Sequence, residues 1–465
     1  MSDKKKLNLI DATLIVASSM IGSGIFIVAA DMGRSVGGPG WMLMLWVIAG
    51  LMTISAALSY GELAGMFPKA GGQYVYLKES WNKLTGFLYG WSLFTVIQTG
   101  TIAAVGVAFA KFAAYFLPIF ELAPQNVLAD MGFIKIYPAQ FLSIGLIILL
   151  TFINTRGIEG GKRIQTFFTV TKITALIGLI VLGFILGFRC EIWHSNWQQA
   201  WTLSHLTDGI PIKGQGFQLL GWIAAAMVGS VFSSDAWNNI TFIAGEVKNP
   251  KKNIGLSLLL GTGIVTLLYI LTNLMYLGVL PLNEIAHAPN DRVGVVAADS
   301  IFGQFGTYIL AILIMISTFG CLNGMIISGA RVYYTMAQDK LFFKTAATLN
   351  KKQVPAKALW LQAIWASLLC LSGKYGDLLD YVVFAVLIFY IITIAGIFKL
   401  RIQQPEKERP YKAFGYPLLP AIYILLALTL CSALLIYKPE YTFPGLIIVL
   451  LGIPVYYMTQ SKSNV

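Results

Sequence analysis

Residues 20–26 read MIGSGIF, and they interrupt the first long apolar segment of this 465-residue chain. A second interruption, SSDAW at residues 233–237, lies inside the sixth apolar segment. Glycine destabilises a helix by about 1 kcal/mol per residue, and serine offers the backbone competing hydrogen bonds. Non-helical backbone within a membrane must line a cavity or be buried in protein, because lipid cannot hydrogen-bond it. Two breaks in corresponding positions therefore predict a binding site near the midplane of a bilayer.

Composition predicts an all-α integral membrane protein. The chain is 57% hydrophobic and only 12% charged, whereas soluble chains average about 25% charged residues. Apolar runs of about 20 residues, enough to cross a bilayer as a helix, recur from end to end. We expect twelve transmembrane helices, at about 9–31, 41–64, 83–117, 138–154, 163–187, 216–246, 253–280, 305–337, 356–373, 375–400, 416–437 and 442–459.

The 33 lysines and arginines predict the orientation of these helices. If the N-terminus is cytoplasmic, most of the basic residues fall on that side of the membrane. Both termini are therefore expected in the cytoplasm, with the protein in the plasma (inner) membrane. The net charge of +12 then reflects topology rather than a nucleic-acid partner. The apolar segment after MSDKKK is too long for a signal peptide and lacks a cleavage site.

The polar residue types argue against an enzyme. The four cysteines show neither a disulfide framework nor metal-ligand spacing, and the three histidines have no ligand-like neighbours. The sequence contains no Walker motif and no catalytic constellation. We therefore expect neither a cofactor nor a metal ion.

The order of the segments predicts one domain with an internal inverted repeat. Five segments precede the polar stretch 188–215, and five follow it before a final pair. Because each unit has an odd number of helices, the second must be inverted relative to the first. The expected units are about 9–187 and 216–400, each opening with a broken helix, and helices eleven and twelve follow at about 416–459.

The residue types in the two breaks suit the two charged ends of an α-amino acid. Gly22 and Gly24, on either side of Ser23, free backbone N–H groups at the start of a half-helix, which favours a carboxylate. Free carbonyls around Phe232 and Ser233 would suit an ammonium group. The alternative is that the glycines merely allow two helices to cross closely.

Four motifs resemble the amino acid–polyamine–organocation superfamily, and within it most closely the L-type amino-acid transporters and their bacterial relatives. In chain order they are MIGSGIF (20–26), PKAGGQYVYL (68–77), WNNITFIAGEVKNPKKN (237–253) and STFGCLNGMIISGARVYYTMAQDKLF (317–342). The resemblance covers nearly the whole chain. It implies a five-plus-five inverted repeat with helices one and six unwound, and alternating access to an amino-acid site at the midplane.

The resemblance also assigns roles to single residues. Ser23 and Gly24 are implied to bind the substrate carboxylate. The backbone of Ile21, Phe232 and Ser233 is implied to contact the amino group, and the Phe232 ring is implied to act as a lid that gates the site.

Lys172 lies nine residues inside the fifth apolar segment, where a charged residue is costly and by default indicates function. The alternative is that its side chain snorkels to the interface. The resemblance implies that its ammonium replaces the sodium ion of sodium-coupled relatives. It would then contact helix-one carbonyls near Gly22 and a hydroxyl of helix eight, for which Ser317 and Thr318 are the candidates. A buried lysine could also carry a proton.

Asp235 lies in the second break at a position where glycine is the commonest residue in the resembling family. Some members that take basic amino acids have aspartate there, which suggests pairing with a cationic substrate side chain. The alternative is an N-cap for the second half of helix six, through Trp237 or Asn238. Asn238 itself is a further candidate substrate contact.

Three charged residues lie at expected cytoplasmic helix ends, namely Glu62, Glu246 and Arg331. They are candidates for a charge cluster that closes an inner gate, and solvated helix-end charges are the alternative. Gln98 on helix three could face the substrate side chain, but spacing alone does not show it.

Together these features favour a sodium-independent secondary transporter of L-amino acids that exchanges substrates by alternating access. A proton-coupled amino-acid or polyamine symporter or antiporter is the alternative, and a non-transporting receptor or a channel is a remote one. Resembling proteins of animals pair with a glycoprotein through a cysteine between helices three and four. Residues 118–137 contain no cysteine, so no disulfide-linked heavy chain is expected.

Overall fold

The computed structural model describes residues 7–132, 135–157, 161–207, 210–372 and 375–461. Most of these residues are helical, as the composition predicts. The N-terminal lysines at residues 4–6, on which the predicted orientation partly depends, lie outside the described residues.

The first half of the chain opens with a broken helix, α1 (Leu9–Met20) and α2 (Gly24–Val36), whose halves are bent by 43°. The helices that follow are α3 (Pro39–Met66), α4 (Gln73–Ser80), α5 (Lys83–Ser92), α6 (Gln98–Ala113), α7 (Pro138–Thr155) and α8 (Gly161–Leu182). A π-helical turn at Leu93–Ile97 joins α5 to α6, and another at Gly183–Gly187 extends α8.

The second half contains the other broken helix, α10 (Gln218–Ser233) and α11 (Asn239–Phe242), which follows the short α9 (Cys190–Trp197). Gly303, with φ 67°, kinks the long helix at Val293–Gln338, which is α14. The remaining helices are α12 (Pro250–Val279), α13 (Leu282–Ala286), α14 (Val293–Gln338), α15 (Ala356–Ser372), α16 (Tyr375–Gln403), α17 (Leu418–Tyr437) and α18 (Pro439–Ser461).

Two small antiparallel hairpins lie in the connections. Strand β1 (Ala129–Asp130) pairs with β2 (Lys135–Ile136), and β3 (Ser204–Thr207) pairs with β4 (Ile210–Lys213). Short 3₁₀ turns complete the connections, at Pro118–Phe120, Pro124–Asn126, Ala244–Glu246, Pro289–Asp291 and Lys344–Ala347.

Apolar helices occur at all the positions where the sequence predicts a crossing. Within the described ranges, nine helices are long and apolar enough to span a bilayer, and the bent pair α1–α2 raises this to ten. Two further apolar helices are shorter, Gln218–Ser233 and Ala356–Leu371. The exact number of crossings and the inverted repeat stay predictions.

Packing brings both breaks into the centre of the molecule. α1 packs along α12, α2 packs along α10, and α14 lies against both α6 and α8. α3 crosses α12 closely, because a Cβ atom on Gly61 would lie only 3.3 Å from the Cα atom of Gly255. We call the side on which α1 begins and α3 ends the N-terminal face, and the other side the opposite face.

Candidate functional site

The first break leaves a run of backbone N–H groups free. α1 ends at Met20, Ile21 is extended, and α2 begins at Gly24. The N–H groups of residues 22–25 have no acceptor in the described part of the chain, although all four residues are buried. Buried backbone N–H groups almost always have hydrogen-bond partners. Several free N–H groups at the start of a helix favour binding of an anion. Ser23 is 1% exposed, and its hydroxyl does not cap α2.

Lys172 caps the end of α1. Its ammonium group donates to the carbonyls of Ser18 and Ile21, the latter at 2.9 Å, and the residue is only 2% exposed. Its side chain therefore points into the protein rather than snorkelling. Ser317 of α14 also donates to Ile21, at 3.3 Å, whereas Thr318 donates to carbonyls of its own helix. Of the two predicted hydroxyls, Ser317 is the one that reaches α1.

The two donors at Ile21 leave no free lone pair there. A carbonyl oxygen accepts two hydrogen bonds, and Lys172 and Ser317 supply both. The N–H group of Ile21 donates to Ala17 at 2.9 Å. In this arrangement the Ile21 backbone has nothing to offer a substrate amino group, contrary to the implied role.

The remaining carbonyls at the end of α1 are covered by side chains from other helices. The Tyr269 hydroxyl of α12 lies 2.9 Å from the Met20 carbonyl and 3.1 Å from that of Ser233, so it connects the two breaks. The Cys321 thiol of α14 donates to the Ser19 carbonyl, with sulfur and oxygen 3.4 Å apart. Helices α8, α12 and α14 thus hold the broken helix in place.

The second break lies directly against the first. α10 ends at Ser233, and Ala236 adopts a left-handed conformation with φ 63° before α11 begins. A Cβ atom on Gly24 would lie 2.2 Å from the Ser233 hydroxyl oxygen, so only glycine fits there. The Phe232 carbonyl accepts from the Asp235 N–H group at 3.1 Å. Phe232 is 8% exposed and packs in the core.

Asp235 pairs with a tyrosine instead of capping α11. The Tyr390 hydroxyl of α16 donates to its carboxylate at 2.5 Å. Asn238, the residue preceding α11, makes no side-chain cap bond. Tyr390 also packs against Trp237, with ring centroids 5.3 Å apart. The structure thus does not show the N-cap alternative, and it places the carboxylate in an aromatic setting.

A narrow polar cavity lies beside this carboxylate, between α6, α11, α14 and α16. Its free space is about that of one water molecule. Asn238 lines it and donates to Gln73 at 3.2 Å, and Gln73 donates to Thr393 at 3.0 Å. The other polar lining residues include Gln98, Thr101, Asp235 and Asn239. Gly24 and Ser233 form the contact between the breaks, and neither these two residues nor Gly22 and Ser23 line this cavity.

The three charged residues among the gate candidates do not form one cluster. Glu246 and Arg331 form an ion pair at 3.1 Å on the N-terminal face. Glu62 is fully buried, and its carboxylate instead binds Arg401 at 2.6 Å and Arg409 at 3.3 Å. The grouping of Glu62 with the other two was wrong, because helix-end position does not specify which neighbour a side chain meets.

An ion cluster on the opposite face was not predicted. Asp291, in the connection between α13 and α14, binds Arg34 of α2 at 2.8 Å and Lys111 of α6 at 3.1 Å. Burial acts to raise the pKa of the Asp291 carboxyl, but the Lys111 and Arg34 charges outweigh it and hold that pKa below its usual value. The cluster joins the broken helix to α6.

Several site residues carry little signal in the sequence. Gln73 lies in the motif PKAGGQYVYL and could have been singled out there. Asn239 likewise lies in the motif WNNITFIAGEVKNPKKN, whereas Tyr269 and Tyr390 lie in apolar segments, so the roles of these two tyrosines depend on contacts between distant parts of the chain. Among the described residues, no group of three or more His, Cys, Asp or Glu side chains could hold a metal ion.

Comparison with known proteins identifies the family. Residues 7–458 match the family model described as amino acid permease. The chain is 27% identical over 459 residues to the Asc-type amino acid transporter 1 of Mus musculus, covering 98% of this chain and 81% of that protein. It is 28% identical over 456 residues to the large neutral amino acids transporter small subunit 2 of Homo sapiens, covering 98% and 80%. It is 26% identical over 442 residues to the human b(0,+)-type amino acid transporter 1, covering 95% and 84%.

These matches confirm the resemblance that the four motifs carry, and they agree with the many apolar helices. The matched relatives are amino acid transporters rather than enzymes. The chain is thus a multi-pass membrane protein, and it belongs to the amino acid permease family.

Proposed function

We propose that this protein is a sodium-independent secondary transporter that exchanges L-amino acids by alternating access. The observation that carries the proposal is the contact between the breaks in α1–α2 and α10–α11. The first break has free backbone N–H groups, and the second has backbone carbonyls. The N–H groups of residues 22–25 offer a site for the substrate carboxylate. The Ser233 carbonyl, which accepts from the Tyr269 hydroxyl, retains a lone pair for the amino group, and Ser23 adds a nearby hydroxyl.

Sodium independence rests on Lys172. A sodium ion between α1 and α14 would need the same carbonyl and hydroxyl oxygens that the Lys172 ammonium and Ser317 now engage. A fixed ammonium supplies the positive charge that these oxygens favour, so no dissolved cation is required. This role makes Lys172 a positioning residue that holds the broken helix, not a substrate contact.

Alternating access requires that each face can close. On the N-terminal face, which we assign to the cytoplasm, the Glu246–Arg331 pair and a backbone bridge between Leu7 and Val247 connect separate segments. On the opposite face the Asp291 cluster does the same. We propose that these contacts break in turn as the site opens to each side.

Substrate choice is proposed to depend on Asp235. Its carboxylate lies at the polar cavity beside the two breaks, where a substrate side chain would extend. A cationic side chain could pair with the carboxylate in place of the Tyr390 hydroxyl. A neutral polar side chain could instead hydrogen-bond to Gln98 or Asn239.

The test is uptake of radiolabelled amino acids into liposomes that contain only the purified chain. Uptake should require amino acid inside the liposomes and should be unchanged when choline replaces sodium. Activity of the chain alone would also support function without a disulfide-linked heavy chain. A requirement for sodium would overturn the role proposed for Lys172, and absence of any uptake or counterflow would favour the receptor or channel alternative.

A proton-coupled amino-acid or polyamine transporter is the second candidate. The observation that favours it is the burial of Lys172, because a buried ammonium without a carboxylate within 4.0 Å among the described residues could lose its proton during the cycle. Uptake driven by an inward proton gradient, without amino acid inside the liposomes, would support this candidate over pure exchange.

A further inference from the structure

Five exposed basic residues cluster where α7 ends and α15 begins, on the N-terminal face. We call them the basic sector, and they are Arg156, Lys344, Lys351, Lys352 and Lys357. The loop before α15 is held against the end of α7 by a hydrogen bond from Asn350 to the Thr155 carbonyl, at 2.7 Å. The Lys352 side chain crosses the same end, since a Cβ atom on Gly157 would lie 2.6 Å from its Cδ atom.

The charges of the basic sector are not neutralised within the described part of the chain. None of the five residues has a carboxylate within 4.0 Å among the described residues, and residues 131–157 and 340–372 contain no Asp or Glu at all. Four other basic residues on the same face have acidic partners among the described residues. These pairs are Lys78–Asp339, Lys251–Glu408, Arg331–Glu246 and Arg401–Glu62.

Exposed apolar side chains border the basic sector. Phe152 and Ile153 of α7 are 43% and 44% exposed, Phe343 is 58% exposed, and Ile364 of α15 is 60% exposed. The Arg156 guanidinium lies 4.3 Å from the centre of the Phe152 ring, which fixes a charge at the edge of the apolar surface. Basic residues next to an exposed apolar surface suit a phospholipid, because its headgroup carries an anionic phosphate and its acyl chains are apolar.

We propose that the basic sector binds an anionic phospholipid, with the phosphate headgroup on the lysines and Arg156 and the acyl chains along α7 and α15. Basic residues near an anionic membrane surface each strengthen binding by roughly fivefold. The exposed apolar border argues for a lipid rather than a soluble phosphate, which would gain nothing from Phe152 or Phe343. This inference does not depend on the transport activity proposed above.

The test compares two double variants with equal loss of charge. Lys351→Gln/Lys352→Gln removes two charges from the basic sector. Lys248→Gln/Lys252→Gln removes two exposed charges elsewhere on the same face and serves as the control. Retention of phosphatidylglycerol and phosphatidylcholine by each purified protein in neutral detergent is measured by native mass spectrometry. Wild type and control should prefer phosphatidylglycerol, and the first variant should bind it at least tenfold more weakly.

Equal binding by wild type and the first variant, or equal loss in the control, would overturn the proposal. Phe343→Ser tests the apolar border without altering charge, and it should weaken retention of phosphatidylglycerol severalfold. Competition by glycerol phosphate as effective as that by the intact lipid would identify a soluble phosphate site instead. All substitutions are at exposed positions, and unchanged thermal unfolding of each variant would exclude a folding defect. Because lipid retention is measured without transport, its outcome is separate from that of the uptake experiment.

Discussion

Gly24 and Ser233 are in direct contact across the two broken helices, so close that a Cβ atom on Gly24 would lie 2.2 Å from the Ser233 hydroxyl oxygen. Real Cβ atoms do not approach other atoms this closely, so a side chain there must push the breaks apart. The contact places the free N–H groups of residues 22–25 beside the end of α10. The geometry of the proposed amino-acid site therefore depends on this one glycine.

Gly24→Ala should reduce substrate binding strongly, and Gly24→Val should abolish it, because both residues displace Ser233. The control is Gly263→Ala in α12, where a Cβ atom would have no neighbour within 4 Å. Alanine there should leave binding unchanged, since it is the better helix former. Amino-acid binding to the purified variants is the measurement. Normal affinity in the Gly24→Val protein would exclude the proposed site.

Lys172→Ala should leave the protein folded but slow exchange and change substrate affinity on both faces. Its loss leaves the carbonyls of Ser18 and Ile21 without a charged donor. Such a hydrogen bond is worth roughly 1.5–3 kcal/mol, which is enough to shift a conformational balance tenfold or more. The measurement is exchange across pH in sodium-free buffer. Rates and affinities equal to those of wild type would show that Lys172 has no part in transport.

Ser317 and Thr318 of α14 offer a matched pair of substitutions that tests the contact between α14 and the end of α1. Ser317→Ala removes a donor to Ile21, whereas Thr318→Val removes a hydroxyl whose hydrogen bonds, among the described residues, stay within its own helix. We expect Ser317→Ala to slow exchange severalfold and Thr318→Val to have little effect. The opposite order of effects would contradict the assignment of Ser317.

Asp235→Asn should selectively weaken transport of cationic amino acids. Loss of a close charge pair in a partly dry site costs about 2–5 kcal/mol, and a substrate without a positive side chain is spared that loss. Tyr390→Phe keeps the carboxylate but removes its hydroxyl donor, so it should spare or strengthen binding of cationic substrates. Competition by lysine and alanine against a labelled substrate gives the comparison. Equal losses for both competitors would indicate a structural role.

The sequence predicts the two breaks well because their causes are local. Glycine and serine in an apolar segment disfavour a helix wherever the chain later packs. α1 ends two residues before Gly22, and α10 ends at Ser233. The partners of the buried charges are different, since they depend on helix packing. Tyr390 follows Asp235 by 155 residues, and nothing in the intervening sequence relates the two.

Glu62 is a second charged residue whose partners could not be identified from the sequence. Its position at the end of α3 was compatible with a charge cluster at a gate or with a solvated charge, and its observed partners lie on α16 and in the connection that follows α16. Which neighbour a helix end meets is set by the order of helices in the bundle. The four motifs limited the possible arrangements of the helices only through their resemblance to a family of known architecture.

Glu62→Gln should destabilise the protein, because it leaves Arg401 and the buried Arg409 without their carboxylate. Breaking a buried ion pair by removing one partner costs about 3–5 kcal/mol. Glu246→Gln is the control, since the pair with Arg331 is partly exposed and is worth about 0–1 kcal/mol. Thermal unfolding in detergent should show a large decrease in Tm only for Glu62→Gln. Equal Tm values would contradict the structural role assigned to Glu62.

Asp291→Asn should favour opening of the opposite face, because it removes the charge that joins Arg34 of α2 to Lys111 of α6. The pKa of the folded Asp291 carboxyl lies below its usual value, so the ion contacts persist at neutral pH. They are lost only as the pH falls through that lowered pKa, and the wild type should then approach the behaviour of the variant. Partly exposed pairs are weak, so apparent affinity from this face should rise by up to roughly fivefold.

Asp31→Asn is the matched control, since Asp31 lies 3.5 Å from Arg34 on the same helix and joins no two helices. Half-saturation for exchange, measured from each face over a range of pH, separates the two. An effect of equal size in both variants would assign the change to surface charge rather than to a contact that must break for the site to open.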